Sequence, residues 1–586
     1  MKKIIASILL SGCCFFLSAQ SQQLPSVMQK ANGYTEIDGR TRAYISPQRI
    51  VWKYDGDGSL IENAEILLEP GSGQAGTNFT GVCTMRSTSN QIASILLDYG
   101  VELQGGLQLV NCQSSKFGQQ PRVRIRFGES ATEAMSEIGE NGATNDHAMR
   151  DFIISVPWMG VIEVGNSGFR FVRIDLVEPN TELALKEVRA ISTYYDIPYI
   201  GSFKSSDERL NQIWDTGAYT VHLNMQEHLW DGIKRDRLVW HGDMYPEVMT
   251  INAVFGYNEV VPKSLDYGVV NDPLPRWMNG FSAYSLWWLM NQRDWYYNHG
   301  NLDFLKKNRD YIVGLIDQVI SKIDETGIER LDGGRFLDWP TSENAEVVHS
   351  GLQALMVMTM DGCIDICTAL GEKEATERCR EAVQRLRKHT PDAHNNKQAA
   401  SLLSLAGMRD AKEMNKIVAH NGAEGFSTFY GYFMLQAMAK AGDYTGAMAC
   451  IREYWGAMLD LGATTFWEDF DLKWTDNAAR IDELVPDGKI DVHATYGKYC
   501  YMGFRHSLCH GWASGPTAWL SQHVLGVEVV EPGCKTVRIR PNLGNLQWAE
   551  GTYPTPKGAI KIRHEKQANG KIVSKIEAPK GIKVIK

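Results

Sequence analysis

The chain has 586 residues, 44% of them hydrophobic and 22% charged, and a net charge of −9 at neutral pH. The charge is dispersed and forms no basic stretch, which excludes a cationic nucleic-acid surface. The length exceeds what one hydrophobic core supports and implies about three domains.

Residues 1–19 begin MKK and continue through an apolar run to Ala19, the pattern of a secretory signal peptide. Leu10-Ser11-Gly12-Cys13 also resembles a lipoprotein cleavage site, but apolar residues follow Cys13, which favours soluble cleavage near Ala19 and a periplasmic or secreted protein. No later apolar run reads as a membrane span of the required ~18 residues. The nine cysteines beyond this segment are scattered and odd in number, so they form no disulfide framework; a Cys83–Cys112 pair stays open.

From 20 to 198 the pattern is mostly strand. Pro121–Ser130 and Phe169–Val177 alternate apolar and polar residues with period two, and Leu96–Val110 has two apolar halves around Gly105-Gly106. Turn-rich pieces separate these runs, which predicts an N-terminal β-sandwich domain. From 199 to 523 the period becomes helical. Ten to twelve helices are expected there, near 243–255, 278–292, 302–323, 346–370, 372–389, 408–419, 424–441, 443–459 and 510–525, with weaker patterns at 262–270 and 397–406. That number of helix pairs suits an (α/α)6 barrel, although periodicity alone does not separate it from another helical array. Strands return in 524–586, which predicts a small C-terminal β-domain and a multidomain α+β protein overall.

The chemistry concentrates in Trp230–Glu247, WDGIKRDRLVWHGDMYPE. Asp231, Asp236, Asp243 and Glu247 lie there beside Trp230, Trp240 and Tyr245. Carboxylates serve acid–base work and bind hydroxyls, and aromatic faces stack on sugar rings. Gly232 and Gly242 make the segment a loop between helices. A second acidic and aromatic loop, Gly462–Asp471, carries Trp467 and Glu468. Asp338 beside Trp339, and His510 at the start of the last helix, are softer candidates. No Gly-x-Ser-x-Gly, Walker, dinucleotide or zinc pattern is present, so neither cofactor nor metal is called for.

These residues carry a resemblance to the bacterial α-L-rhamnosidases of glycoside hydrolase family 78. Asp231, Arg235-Asp236 and Trp240-His241-Gly242-Asp243 resemble that family's acidic motif, and Thr464-Thr465-Phe466-Trp467-Glu468 its later Thr-Thr-x-Trp-Glu motif. Phe169–Ile174 resembles the end of its accessory sandwich, and the sequence from His523 its C-terminal β-domain. The resemblance covers nearly all of the chain after the leader. It implies Asp236 as general acid, Glu468 as general base, and Asp231, Trp240, Asp243, Asp338, Trp339, Trp467 and His510 as the sugar pocket. The family usually has Glu where this chain has Asp236, one methylene shorter; Glu247 is the alternative acid. The implied activity is inverting exo-hydrolysis of terminal α-L-rhamnose from glycans or glycosides. The alternatives are a same-fold hydrolase or lyase for another sugar, or a non-catalytic glycan-binding protein. The oligomeric state is not legible.

Overall fold

In the computed structural model, residues 38–77, 80–114, 118–499 and 501–586 are described. The expected leader, Cys13 and Cys500 lie outside the described residues. Arg40 to Lys586 pack as one unit.

The N-terminal part is a nine-stranded antiparallel sheet. Its path runs Ile61–Glu62, Cys83–Arg86, Glu182–Tyr194, Ser94–Ser114, Gly160–Leu176, Arg122–Gly128 and Asp151–Ser155. Thr41–Ile45 adds to Glu182–Tyr194, and Arg49–Tyr54 adds to Ser94–Ser114. The expected sandwich strands are all present, and hydrogen bonding links them continuously. Ser94–Ser114 and Gly160–Leu176 each run on through a register break between Asp98 and Leu103, so the ladder between them continues through both halves. The alternating apolar residues meet in a core that includes Ile95, Leu107, Ile125, Phe127, Phe169 and Val188. Cys83 and Cys112 are buried in separate apolar clusters and form no bridge with one another.

Six helices follow one another around a closed ring: Met244–Val254, Ser282–His299, Ala345–Leu370, Lys397–Leu405, Gly431–Lys440 and Gly515–Trp519, the last packing back on the first. Other helices, among them Glu208–Asn224, Lys373–Leu386 and Tyr444–Asp460, pair with them in hairpins. The ring interior is apolar and aromatic; Tyr245, Trp287 and Phe433 come from three different ring helices and lie within 4.6–5.8 Å of one another by ring centroid. Ala345–Leu370 is long and apolar enough to cross a bilayer, contrary to the sequence expectation. Here it is a ring helix whose apolar residues pack on its neighbours. The run expected at 302–323 is broken at Asn308 into two helices. The helix expected from 424 begins only at Gly431, because Ser427 Oγ turns to accept from Tyr430 N.

Two small sheets end the chain. One joins Val527–Val529, Thr536–Ile539 and Lys583–Ile585; the other joins Trp548–Tyr553, Ile560–Lys566 and Ile572–Glu577. Ser202–Ser205 completes the second sheet by pairing with Trp548–Tyr553. No strand was expected here, since these residues fall in the span assigned to the helical domain; the short β pattern sits beside a helix start, and the pairing is with residues about 350 positions later.

Candidate active site

The N-terminal ends of the ring helices point to one end of the ring, and the loops leading into them hold the acidic residues. Asp231 shapes the first loop. Its two carboxylate oxygens accept from the backbone N–H groups of Asp236 and Leu238 at 3.0 and 2.9 Å. The loop is pinned to the segment before the last ring helix by a bridge between Gly232 and His510 and by Gly511 N donating to Asp231 O. Gly232 is required there, because a Cβ would lie 2.3 Å from Arg235 O.

Glu468 enters from the opposite side of the chain. Its backbone is fixed by the Trp512 indole N–H, which donates to Glu468 O at 2.9 Å, and by Glu468 N donating to Ser507 O. Its carboxylate accepts two hydrogen bonds from Arg235 Nη2, at 2.7 and 2.8 Å, and a third from Ser507 N at 3.2 Å. Arg235 Nη1 donates to Asp236 Oδ1 at 2.8 Å. One guanidinium therefore bridges the two carboxylates singled out by the sequence. Charge-assisted forks of this kind fix orientation as well as add energy. The side chain of Glu468 is 2% exposed and that of Asp236 is 20% exposed.

His510 gathers the remaining acids. Its Nε2 lies 3.5 Å from Asp231, 3.5 Å from Glu468 and 3.9 Å from Asp243. Burial works against its charge, but the hydrogen bond to Asp231 and the surrounding carboxylates prevail and raise its pKa. Burial alone would raise the pKa of Asp231; His510 and the two backbone donors hold it below the usual carboxylate range. Asp243 differs. Burial pushes it up to about 8, helped by its acidic neighbours, while Tyr284 OH donates to it at 2.7 Å. At neutral pH an ionised Asp231 and a neutral Asp243 therefore face an imidazole whose charged form its acidic neighbours favour. Asp231, Asp243 and His510 also present ligand atoms close enough together to hold a cation.

Glu247 is fully buried one turn along the helix from Asp243. Burial raises its pKa well above the usual value, and neither carboxyl oxygen has a hydrogen-bond partner. It stands against Gly511, where a Cβ would lie 2.1 Å from Glu247 Oε1.

The aromatic candidates line the same end. Trp240 packs at the rim against Phe281 and, edge-on, Tyr284. Trp339 is stacked by Tyr499 at 5.5 Å and met edge-on by Tyr501, over which Arg235 also lies. Trp467 is buried against Phe470 and His506, with its indole N–H unpartnered. Asp338, pushed up to about 6 by burial, accepts from Ser427 Oγ and Gln398 Nε2 and so ties two ring-helix starts together.

Sequence reasoning missed Arg235 as a site residue, along with Tyr284, Ser507, Trp512 and the contribution of the sheet. His147, from the N-terminal sheet region, places Nε2 3.4 Å from Asp236 Oδ1. A cavity of about 560 Å³ opens beside it, lined by Asp146, His147, Met149, Phe152, Asn166 and Arg237. Lys234, next to Arg235, is buried with its ammonium 3.0 Å from Glu129 and 3.1 Å from Glu133, and it donates to the carbonyls of Phe504 and His506. The only available signal was a pair of acids, Glu129 and Glu133, just after a strand whose polar positions are otherwise arginines.

The model of the bacterial alpha-L-rhamnosidase 6 hairpin glycosidase domain matches residues 198–524, and that of the bacterial alpha-L-rhamnosidase C-terminal domain matches 526–585. Among solved structures, a GH78 family rhamnosidase of Bacillus sp. GL1 superposes with TM-score 0.69 at 21% identity, over 89% of this chain and 55% of that one. A rhamnosidase from Klebsiella oxytoca with rhamnose bound gives 0.62 at 18% identity, over 83% of this chain and 96% of that one. The Streptomyces avermitilis α-L-rhamnosidase complexed with L-rhamnose gives 0.65 at 16% identity, over 86% of this chain and 50% of that one. The chain thus spans about half the length of the Bacillus and Streptomyces proteins, and at these identities the likeness is one of fold. Among curated proteins none matches.

Proposed function

Because the chain belongs to the bacterial α-L-rhamnosidase family, we propose that it is an exported, inverting exo-glycosidase that releases terminal α-L-rhamnosyl residues from a glycan or glycoside. Export rests on the sequence of residues 1–19. The closed ring with its outer partners is read as an (α/α)6 barrel, and the nine-stranded sheet as the family's accessory β-sandwich.

The observation that carries this reading is the bridging of Asp236 and Glu468 by Arg235 beside an enclosed cluster of Asp231, Asp243 and His510. Inverting hydrolysis uses one carboxyl group to protonate the leaving oxygen and another to deprotonate water on the opposite face of the sugar. Glu468, held as an acceptor by three hydrogen bonds from Arg235 Nη2 and Ser507 N, takes the base role. Asp236, at the more open side next to His147, takes the acid role, because a departing group reaches it without displacing the core. Glu247 has the protonation an acid needs, but it lies buried against Gly511, away from that open side. Neutral Asp243 and His510 supply donors to sugar hydroxyls, and ionised Asp231 supplies acceptors. Enclosure of these groups suits a terminal residue better than the middle of a chain.

Proton NMR of an α-L-rhamnoside during early hydrolysis tests the proposal. β-L-Rhamnose is expected first. Initial accumulation of the α-anomer would make Glu468 a nucleophile and overturn the inverting mechanism. An unsaturated product absorbing in the ultraviolet would mark a lyase, and sugar binding without turnover would mark a glycan-binding protein.

A further inference from the structure

Away from this site, Glu329, His349 and His389 come together from three segments: the loop before the helix Ala345–Leu370, that helix itself, and the chain after Lys373–Leu386. His349 Nδ1 lies 2.6 Å from Glu329 Oε1. Glu329 is completely buried and also accepts from Arg335 at 2.6 and 2.9 Å and from Leu331 N at 2.9 Å. These donors outweigh its burial and hold its carboxyl down at about 2. An ionised carboxylate on Nδ1 fixes the tautomer: the proton sits on Nδ1, and the Nε2 lone pair of the neutral ring is bare. That lone pair faces His389 Nε2 at 3.1 Å, with the ring centroids 5.3 Å apart. Both rings are only half-buried, so the pair opens to solvent.

We propose that His349 and His389 form a binding site for a borderline divalent transition-metal ion, Cu²⁺ or Zn²⁺, with water completing the coordination and Glu329 orienting His349. Two metal–nitrogen bonds of about 2.0–2.1 Å on one ion require ring nitrogens roughly 3 Å apart, and a carboxylate on the far nitrogen is the usual support of a metal-bound histidine. Binding shifts the one proton between the facing nitrogens to His389 Nδ1 or to solvent. Among the described residues, a further compact His and acid group outside the candidate active site, Glu129, Glu133 and His493, already encloses the Lys234 ammonium.

Cu²⁺ titration of the full chain, followed by electron paramagnetic resonance, tests the site. One equivalent with hyperfine structure from two imidazoles is expected. His349→Ala and His389→Gln should each weaken it at least tenfold, and Glu329→Gln about tenfold to a hundredfold. Circular dichroism and His394→Ala serve as controls for folding and for a neighbouring histidine. Zn²⁺ should raise the melting temperature of the parent and not of folded His389→Gln. Unchanged copper affinity in folded His389→Gln, or a signal with fewer than two imidazoles, would overturn the proposal and leave the two rings as a hydrogen-bonded pair.

Discussion

Arg235 and Glu468 are joined by a fork: one guanidinium nitrogen lies 2.7 and 2.8 Å from the two carboxylate oxygens. The same guanidinium holds Asp236 through its other terminal nitrogen. The two reacting carboxylates of the proposed mechanism are thus positioned by one rigid plane, so a change in either carboxylate is felt by the other through Arg235.

Glu468→Gln is expected to cost about 10²–10⁴ in turnover, the range for loss of a general base. The amide also turns a donor toward Arg235 or loses one acceptor, so part of the loss is positional. Rhamnose binding should persist in calorimetry, because Asp231, Asp243 and His510 remain. Near-normal turnover in the folded variant would remove Glu468 from the role.

Asp236→Asn should impair substrates with poor leaving groups far more than activated aryl rhamnosides, which need little protonation. Asp236→Glu should keep part of the activity. If Asp236→Asn slows both substrate types equally and Glu247→Gln shows the leaving-group dependence, the acid is Glu247.

His147→Ala removes the contact that the sheet makes with Asp236. A hydrogen bond of ordinary net strength corresponds to about threefold to tenfold in rate. The loss is expected in kcat/KM on natural glycosides and to be smaller on activated aryl substrates. Equal loss on both would assign His147 a role in general packing.

Asp243 gives a pH signature. Its carboxyl is raised to about 8 in the folded chain, against an ordinary value of 3.8. Its neutral form is therefore favoured by folding. Stability from this group is complete below pH ~4 and is lost as the pH climbs toward ~8, at up to about 1.4 kcal/mol per pH unit. Asp243→Asn keeps an acceptor for Tyr284 and should flatten that decline. Denaturant midpoints at pH 5 and pH 8, compared between the two proteins, check it; parallel declines would exclude Asp243 as the source.

Gly511→Ala should be severely destabilising or inactivating, because its methyl group would enter the space of the Glu247 carboxyl. Gly511→Ala combined with Glu247→Ala is expected to recover folding, as read by the thermal midpoint, since the two changes share one volume. A single Gly511→Ala protein with the parental midpoint would show that the segment moves freely.

The acidic core of the site was legible from the sequence because carboxylates beside tryptophans at short spacing are unusual on a solvated face. The ring helices were legible too, since each buries a broad apolar stripe. Three things escaped. Arg235 reads as one of three basic residues in Lys234–Arg237, and only the fold separates its partner from those of Lys234 and Arg237. The strand Ser202–Ser205 finds its pairing near the other end of the chain. The contacts of His147 and of Glu129 and Glu133 join segments that local pattern cannot relate. The continuous nine-stranded ladder follows from register breaks, which leave the alternation of each half intact and so give no signal that two halves are one strand.

The buried Lys234 ammonium bears on how the protein can be divided. Its two carboxylate partners come from the turn and short helix that follow the sheet strand Arg122–Gly128, whereas the carbonyls it also binds, those of Phe504 and His506, immediately precede the segment carrying Ser507 and His510. Removing the N-terminal part would leave that buried cation without its acids, and a broken buried pair costs about 3–5 kcal/mol. The smallest portable unit is then the sheet together with the ring, although the family's helical domain is matched from residue 198 onward. A chimera that grafts this ring onto a foreign accessory module inherits the defect unless the module brings two acids to the same place or Lys234 is replaced as well.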